Sequence, residues 1–217
     1  MNTPTAVDRL TLSPPGALLA FSREAPDGTQ ALLQSVLAER ELPDPAEWGA
    51  RSPAHAELLE HGQARGWLQV VHRDIRAPDM RLVDFLSHVV GGLSADRRAA
   101  LASGGGFCVG HSGYETEEAE ALCVAAADFT EFARRQRARG WNGASDLVSF
   151  HQDAAMMMPT VSFVPFWVDG VDYCLVIGGE PLLNNPVFVE LLWGIKAAGS
   201  RFGDRMVQRA AARGQAR

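Results

Sequence analysis

Side chains that can bind metals or activate nucleophiles occur at two places in the sequence. Cys108 and His111 have a spacing seen in metal sites, and His151 would have to join them through the fold. A structural zinc site needs four ligands and a catalytic site needs three plus water, so we interpret the pair as a buried Cys and a turn His. Ser149, His151 and Asp153 include the side-chain types of a hydrolytic triad. Residues two apart on one strand do not create that geometry, so we predict no catalytic, metal-binding or cofactor-binding residue.

The segment from Val71 to Arg76 contains His72-Arg73-Asp74, which is similar to the catalytic loop of protein kinases. In that loop the Asp accepts the substrate proton, and an Asn five residues later binds magnesium. Here Asp79 stands at the Asn position, and neither a glycine-rich loop nor a Lys precedes His72. We therefore interpret the segment as the end of a strand that runs into a loop, and we predict that the protein is not an enzyme.

The run Gly104-Gly105-Gly106 raises the possibility of a phosphate-binding loop. Such a loop follows a strand and carries Lys and Ser or Thr directly after its glycines. Here the apolar strand Phe107-Cys108-Val109-Gly110 comes after the glycines, and no Lys follows them. The run is therefore predicted to be a structural turn that leads into a central strand.

The composition is that of a globular protein with one large domain, or with one domain and an extension. The chain has 217 residues, 47% of them hydrophobic and 21% charged, which are ordinary values for soluble domains. The net charge of -6 argues against nucleic acid as a partner, because phosphate binding requires a basic surface. The three cysteines stand in apolar surroundings and are expected to be reduced. We find no signal peptide and no membrane span, so we expect a cytoplasmic protein without membrane contact.

Residues 1–78 are predicted to form an N-terminal extension that is mostly helical with short strands. Residues 16–21 can form a strand, and helices are indicated after Thr29 and from Pro53, before a short strand at residues 67–71. This order allows a small winged-helix-like unit that would link the protein to DNA. The basic residues are scattered, so an extension that docks a partner or braces a dimer is favoured.

Residues 79–200 carry stronger signals, and residues 201–217 are predicted to be a frayed basic tail. The helix from Thr116 to Gly140 is the best supported, because apolar residues recur at steps of three and four between an acidic first turn and an arginine-rich last turn. A shorter helix is predicted from Met80. Residues 94–103 fit either a helix or a strand, and the sequence leaves this open.

Strands and a final helix are predicted after the long helix. The three strands lie at residues 147–151, 160–168 and 173–177. Asp169 and Gly170 both tolerate a positive φ, which indicates a tight hairpin between the last two strands. Pro165 cannot donate a hydrogen bond, so the middle strand is expected to have an edge or a bulge there.

One stretch combines an apolar strand, a small polar turn and an Ala-rich helix with an acidic start. These are Phe107-Cys108-Val109-Gly110, His111-Ser112-Gly113 and Glu117-Glu118-Ala119-Glu120-Ala121-Leu122. With the α-β-β-α-β-β-β-α order of roughly residues 80–200, this resembles the roadblock/LC7 domain. The resemblance implies a two-layer α+β fold of profilin-like type that dimerises through its sheet and its long helix. Members bind Ras-like GTPases, modulate their nucleotide cycle or act as scaffolds, and bacterial members often accompany a small GTPase.

Nine residues are predicted to contact a second copy or a partner: Phe129, Arg134, Arg135, Arg137, Leu147, Ser149, His151, Met156 and Met157. A strand at the edge of a sheet invites a second copy, and two copies joined there form a symmetric dimer. The arginines either compensate the helix dipole or form a patch for an acidic partner. Consecutive methionines can make an adaptable contact surface.

The sequence therefore predicts a non-enzymatic, dimeric adaptor or regulator that binds a small Ras-like GTPase or scaffolds a larger complex. The first alternative is a sensory module of similar architecture that holds a small ligand between its sheet and its helices. The second is a DNA-linked regulator that uses the N-terminal extension.

Overall fold

The chain folds into an antiparallel five-stranded sheet with helices on both faces, and a separate two-stranded sheet lies near its N-terminus. The computed structural model describes residues 7–140, 148–151 and 158–199. This architecture confirms the predicted α+β class. Leu147, Met156 and Met157, which belong to the predicted interface, lie outside the described residues.

The N-terminal elements are β1 Arg9–Leu12, α1 Pro14–Ala20, α2 Gly28–Ser35, α3 Pro45–Gly49, α4 Pro53–Ala64 and β2 Leu68–Val71. β1 and β2 pair in antiparallel fashion, with Leu10 opposite Val70. The elements that follow are α5 Leu82–Val89, β3 Ala99–Ser103, β4 Cys108–Ser112, α6 Thr116–Ala138, β5 Val148–Phe150, β6 Val161–Val168, β7 Val171–Gly178 and α7 at residues 186–199. From α5 onward this is the predicted α-β-β-α-β-β-β-α order.

Residues 16–21 belong to a helix and its end, so the strand predicted there is wrong. Ser13 caps α1, and its hydroxyl oxygen accepts a hydrogen bond from the Gly16 backbone N–H at 3.1 Å. Pro14 and Pro15 occupy the first two helical positions, where a missing N–H costs nothing and a fixed φ favours the helix. A Cβ at Gly16 would lie 2.1 Å from the Trp67 carbonyl oxygen, so this helix packs directly against backbone.

Residues 99–103 form β3, which settles the ambiguity of residues 94–103 in favour of a strand. The sheet order is β4-β3-β7-β6-β5, so β3 pairs on both sides. Ala99 to Ala102 are fully buried. The composition of this segment favours a helix, but pairing with two neighbours and burial on both faces override that preference.

Two local predictions about the C-terminal strands are supported by the backbone. Asp169 and Gly170 have φ values of 51° and 77°, as a tight hairpin requires. The described pairing of β5 with β6 ends at Phe163, so Pro165 has a strand partner only on the other side, where it stands opposite Cys174 of β7.

The two faces of the sheet are covered differently. One face packs against residues 10–93 and α7 in a core that contains Trp48, Leu101, Leu175 and Phe188. The other face packs against α6 in a smaller cluster rich in alanine and cysteine. The indole N–H of Trp193 on α7 donates to the Glu39 carbonyl at 2.8 Å, so the N-terminal elements share a core with the later ones. The boundary predicted at residues 78 and 79 remains a prediction.

Candidate functional site

β5 lies at one edge of the sheet within the described chain and pairs with β6 on its inner side. Ser149 stands opposite Ser162, and their hydroxyl oxygens are 2.7 Å apart. Among the described residues, no strand pairs with the outer side of β5. An edge of this kind is a template for strand addition.

Three phenylalanines connect β5 to α6 across the sheet. Phe163 on β6 is buried, and its ring stacks on Phe129 of α6 with centroids 6.2 Å apart. The ring of Phe150 on β5 contacts the Phe163 ring edge-on, with centroids 5.7 Å apart, and Phe150 is 51% exposed. Both contacts are typical aromatic geometries. The apolar cluster under α6 thus continues outward to the sheet edge and ends in an exposed aromatic ring.

α6 is a long helix with a narrow buried stripe of small residues, namely Ala119, Cys123, Ala126 and Ala133. Glu117 and Glu118 lie in its first turn and basic residues in its last turn, which complements the helix dipole. The N-cap position is Glu115 rather than the predicted Thr116, and it makes no side-chain capping bond. Small buried side chains let the helix lie close to the strands beneath it.

Large apolar side chains on the outer side of α6 are exposed. Val124 is 57% exposed and Phe132 is 42% exposed. Phe107 in the β3–β4 turn is 76% exposed, and the preceding Gly106 would place a Cβ 3.3 Å from the Val124 Cα. We call Phe107, Val124 and Phe132, together with Phe150, the exposed apolar group. None of these four is among the residues predicted to contact a partner, although Val124 already falls outside the helical stripe of alanines and cysteine.

The predicted arginines separate into two environments. Arg134 and Arg135 both bond to Glu131 one turn earlier, at 2.8 and 3.3 Å. The Arg137 guanidinium lies over the Trp167 ring, 5.6 Å from its centroid, as in a cation–π contact. A cleft of about 310 Å³ lies between α6 and the β6–β7 hairpin, and its lining includes Glu131, Arg134, Arg137, Trp167, Pro165, Glu24 and Asp172, but not Arg135.

The predicted interface residues do not all share one face. Cross-strand partners on a sheet point to the same side, and Val148 and Phe150 pair with β6 residues of the α6 side. Ser149 therefore points to the opposite side, toward Ser162. His151 is exposed beyond the end of β5, where its Nδ1 lies 3.1 Å from the Met158 carbonyl oxygen. Phe129 packs inward, whereas Arg134 and Arg135 are exposed. The interface as a set remains a prediction.

The residues of the kinase-like segment pair with the start of the chain. His72 contacts Asp8 at 2.7 Å, and Asp74 accepts a hydrogen bond from Arg9 at 3.3 Å. Arg76 also forms an ion pair with Glu41. These exposed contacts hold the end of β2 against the strand β1, which agrees with a structural role for the segment.

The residues considered for metal binding stand on β4. Cys108 and His111 are both half-buried. Within residues 7–140, 148–151 and 158–199, no three His, Cys, Asp or Glu side chains come together as a metal site would require. Asp153 of the triad-like set lies outside the described residues.

Among the described segments, no helix has both the length and the apolar character needed to cross a lipid bilayer.

No protein-family model matches the chain, and no curated protein matches it. A solved structure of the roadblock/LC7 domain from Streptomyces avermitilis is similar to part of the chain, with 16% sequence identity and a TM-score of 0.33. That likeness covers 48% of this chain and 83% of the Streptomyces chain.

Proposed function

We propose that the protein is a non-enzymatic adaptor or regulator that acts as a cytoplasmic homodimer and binds a small Ras-like GTPase or scaffolds a larger complex. The observation that supports this most is the edge strand β5, which carries the exposed Phe150 beside the rings of Phe163 and Phe129. The edge offers backbone hydrogen bonds, and the adjoining aromatic ring offers apolar area. Both are features of surfaces that bind another chain.

A second copy is the proposed occupant of the β5 edge. Antiparallel pairing of β5 with its own copy would create a two-fold axis and a continuous sheet. Both α6 helices would then lie on the same side of that sheet. Val124 and Phe132 supply exposed apolar area on this side, of the kind that the core of an interface buries.

The dimer is tested by light scattering coupled to size-exclusion chromatography over a dilution series. Phe150→Glu places a charge at the centre of the interface and should shift the mass to that of a monomer. Val83→Glu is the matched control, because Val83 is also exposed but lies in the first turn of α5, where an acidic residue is favourable. A wild-type protein that is monomeric at every concentration would exclude the proposed dimer.

The partner is proposed to meet the α6 face near its C-terminal arginines. Arg134 and Arg135 are exposed there, and both already bond to Glu131. We propose that an acidic partner surface competes with Glu131 for these guanidinium groups. Retention of a GTPase on the immobilised protein, together with a changed rate of GTP hydrolysis or nucleotide exchange, would support this assignment. Retention of the GTPase should fall when Arg134 and Arg135 are both replaced by Ala. Equal retention by this double variant and the wild type would contradict the proposed role of the arginines.

A ligand-sensing function is a second candidate, because an apolar cavity lies between α1 and the sheet. It has a volume of about 430 Å³ and is lined by Leu18, Leu19, Phe21, Ser22, Val164, Pro165, Phe166, Leu183 and Phe188. This size and lining suit a small uncharged ligand. Such a ligand should raise the melting temperature, and Leu18→Trp, which fills the cavity, should remove that effect.

A further inference from the structure

All three cysteines of the chain lie between α6 and the sheet. Cys123 and Cys174 are buried in the cluster under α6, and Cys108 packs against it and is half-buried. Cys108 reaches this side because of an irregularity in β4. Leu101 pairs with Gly110 but Ala102 pairs with Cys108, so Val109 is an extra residue. A bulge of this kind changes the direction in which the following side chain points.

Cys108 on β4 packs against the buried cluster in which Cys123 on α6 lies, and the pKa of the Cys123 thiol is raised in part by Cys108. The backbones also approach each other here, since a Cβ at Gly106 would lie 3.5 Å from the Cys123 carbonyl oxygen. Cys174 is separated from Cys108 by β3, because Ala102 pairs with Cys108 on one side and with Cys174 on the other. Strands that are two apart in a sheet lie about 9–10 Å from each other, which is too far for a disulfide. Cys123 is therefore the cysteine that Cys108 can pair with, and the half-buried Cys108 is the member that solvent can reach.

We propose that Cys108 and Cys123 are an oxidative modification site, at which a peroxide closes a reversible disulfide between β4 and α6. The Cys108 thiolate attacks one oxygen of the peroxide, the O–O bond breaks, and a sulfenic acid forms on Cys108. The Cys123 sulfur then loses its proton and attacks the Cys108 sulfur, so that the S–S bond forms and water leaves. Two thiols lose two electrons in total, and hydrogen peroxide is reduced to two molecules of water.

The buried member sets the speed of closure. Burial raises the pKa of the Cys123 thiol, and the Cys108 thiol, Cys174 and Glu120 that face it raise the pKa further. At neutral pH the attacking Cys123 thiolate is therefore scarce. Because the thiolate is the nucleophile, the rate of disulfide formation should rise steadily as the pH is raised above neutrality.

The disulfide would tie the first half of α6 to the strand beneath it. β4 lies at the opposite edge of the sheet from β5, so this site does not depend on the dimer proposed above. A disulfide between Cys108 and Cys123 closes a loop in the unfolded chain and so reduces its conformational freedom. We therefore expect the melting temperature to rise by about 5–10 °C.

The test is to treat the full chain with a small excess of hydrogen peroxide, unfold it and count free thiols. Two of the three should be lost, and both should return with a dithiol reductant. Trypsin releases residues 99–134 as one peptide, because no Lys or Arg lies inside this segment. That peptide should be lighter by two hydrogen atoms after oxidation.

Cys108→Ser removes the accessible member of the pair and should abolish the loss of two thiols and the rise in melting temperature. Cys174→Ala is the matched control and should leave both effects in place. Because Cys108 is half-buried, its Ser variant should fold, and its melting curve checks this. A disulfide between Cys123 and Cys174, a disulfide between two chains, or three free thiols after prolonged oxidation would overturn the proposal.

Discussion

The two faces of the five-stranded sheet differ in the size of the side chains that cover them. The face toward the N-terminal elements and α7 buries Trp48, Phe21, Phe188 and several leucines completely. The face under α6 buries mainly alanine and cysteine, with two aromatic rings, Tyr114 and Phe163, among them. Free energy from apolar burial scales with the area removed from water. The first face therefore contributes most of the stability, and the second contributes less per residue.

The same difference bears on where the proposed interaction surface lies. Residues 10–93 and α7 cover the first face. α6 is a single helix, and it packs on β3, β7 and β4 but leaves the ring of Phe150 on β5 exposed. Because a single helix covers this face and β5 forms an edge of the described sheet, we expect another chain to bind on this side. Four measurements can break or sharpen this comparison.

Phe188→Ala should give the largest effect. Phe188 is completely buried in the core, and its ring contacts the Phe166 ring edge-on, with the two centroids 6.2 Å apart. Its loss leaves a cavity, and we expect unfolding in urea to require about 3–5 kcal/mol less free energy. Phe129→Ala on α6 should cost clearly less, because Phe129 is only half-buried. Equal losses of unfolding free energy in Phe188→Ala and Phe129→Ala would contradict the difference between the two faces of the sheet.

Ala126→Leu tests how tightly α6 is held to the sheet. Ala126 is fully buried in the stripe of small residues. A larger side chain must push the helix outward, and we expect a loss of about 1–3 kcal/mol in the free energy of unfolding. Ala125→Leu is the matched control, because Ala125 is exposed on the same helix. If both variants are as stable as the wild type, α6 is packed more loosely than its small residues indicate.

Alkaline pH should weaken the α6 face through Cys174. Burial raises the pKa of the Cys174 thiol from 9.0 to about 12. The unfolded chain releases this proton first, so it binds fewer protons than the folded chain and stability falls as pH rises. The contribution is intact below pH 9.0 and is lost by about pH 12. Denaturant melts of Cys174→Ala should show a shallower decline over this range than the wild type, and parallel declines would contradict the assignment.

Glu131→Ala should give the smallest effect on stability. Glu131 bonds to Arg134 and Arg135 on the exposed side of α6, and such ion pairs contribute about 0–1 kcal/mol. The variant should unfold almost as the wild type does. It frees two guanidinium groups, so binding of an acidic partner should become stronger. A large loss of stability would show that this side of α6 is structural after all.

Much of the fold could be predicted because its signals are local. The ends of α6 follow from the acidic first turn and the glycine that ends it, where Gly140 has a φ of 85°. The β6–β7 hairpin follows from Asp169 and Gly170, which accept positive φ. Each of these features depends on residues that are neighbours in the chain.

Less of the candidate site could be predicted, because a face is decided by long-range pairing. Ser149 and Phe150 are adjacent in sequence, but the register with Ser162 and Val161 sends their side chains to opposite sides. An exposed Phe132 and a half-buried Phe129 differ by less than one helical turn. The sequence shows that both are apolar, and only the sheet beneath α6 decides which of them is covered.

The amino-acid sequence by itself determined the order of the elements from α5 onward, the long helix and the absence of a recognisable catalytic motif. Only the tertiary structure decided that residues 99–103 are a central strand and that three distant cysteines lie in or against one cluster under α6. The physical reason is the same in each case. Turns and caps are stabilised by bonds within a few residues, whereas strand pairing and burial depend on partners that the chain brings together only when it folds.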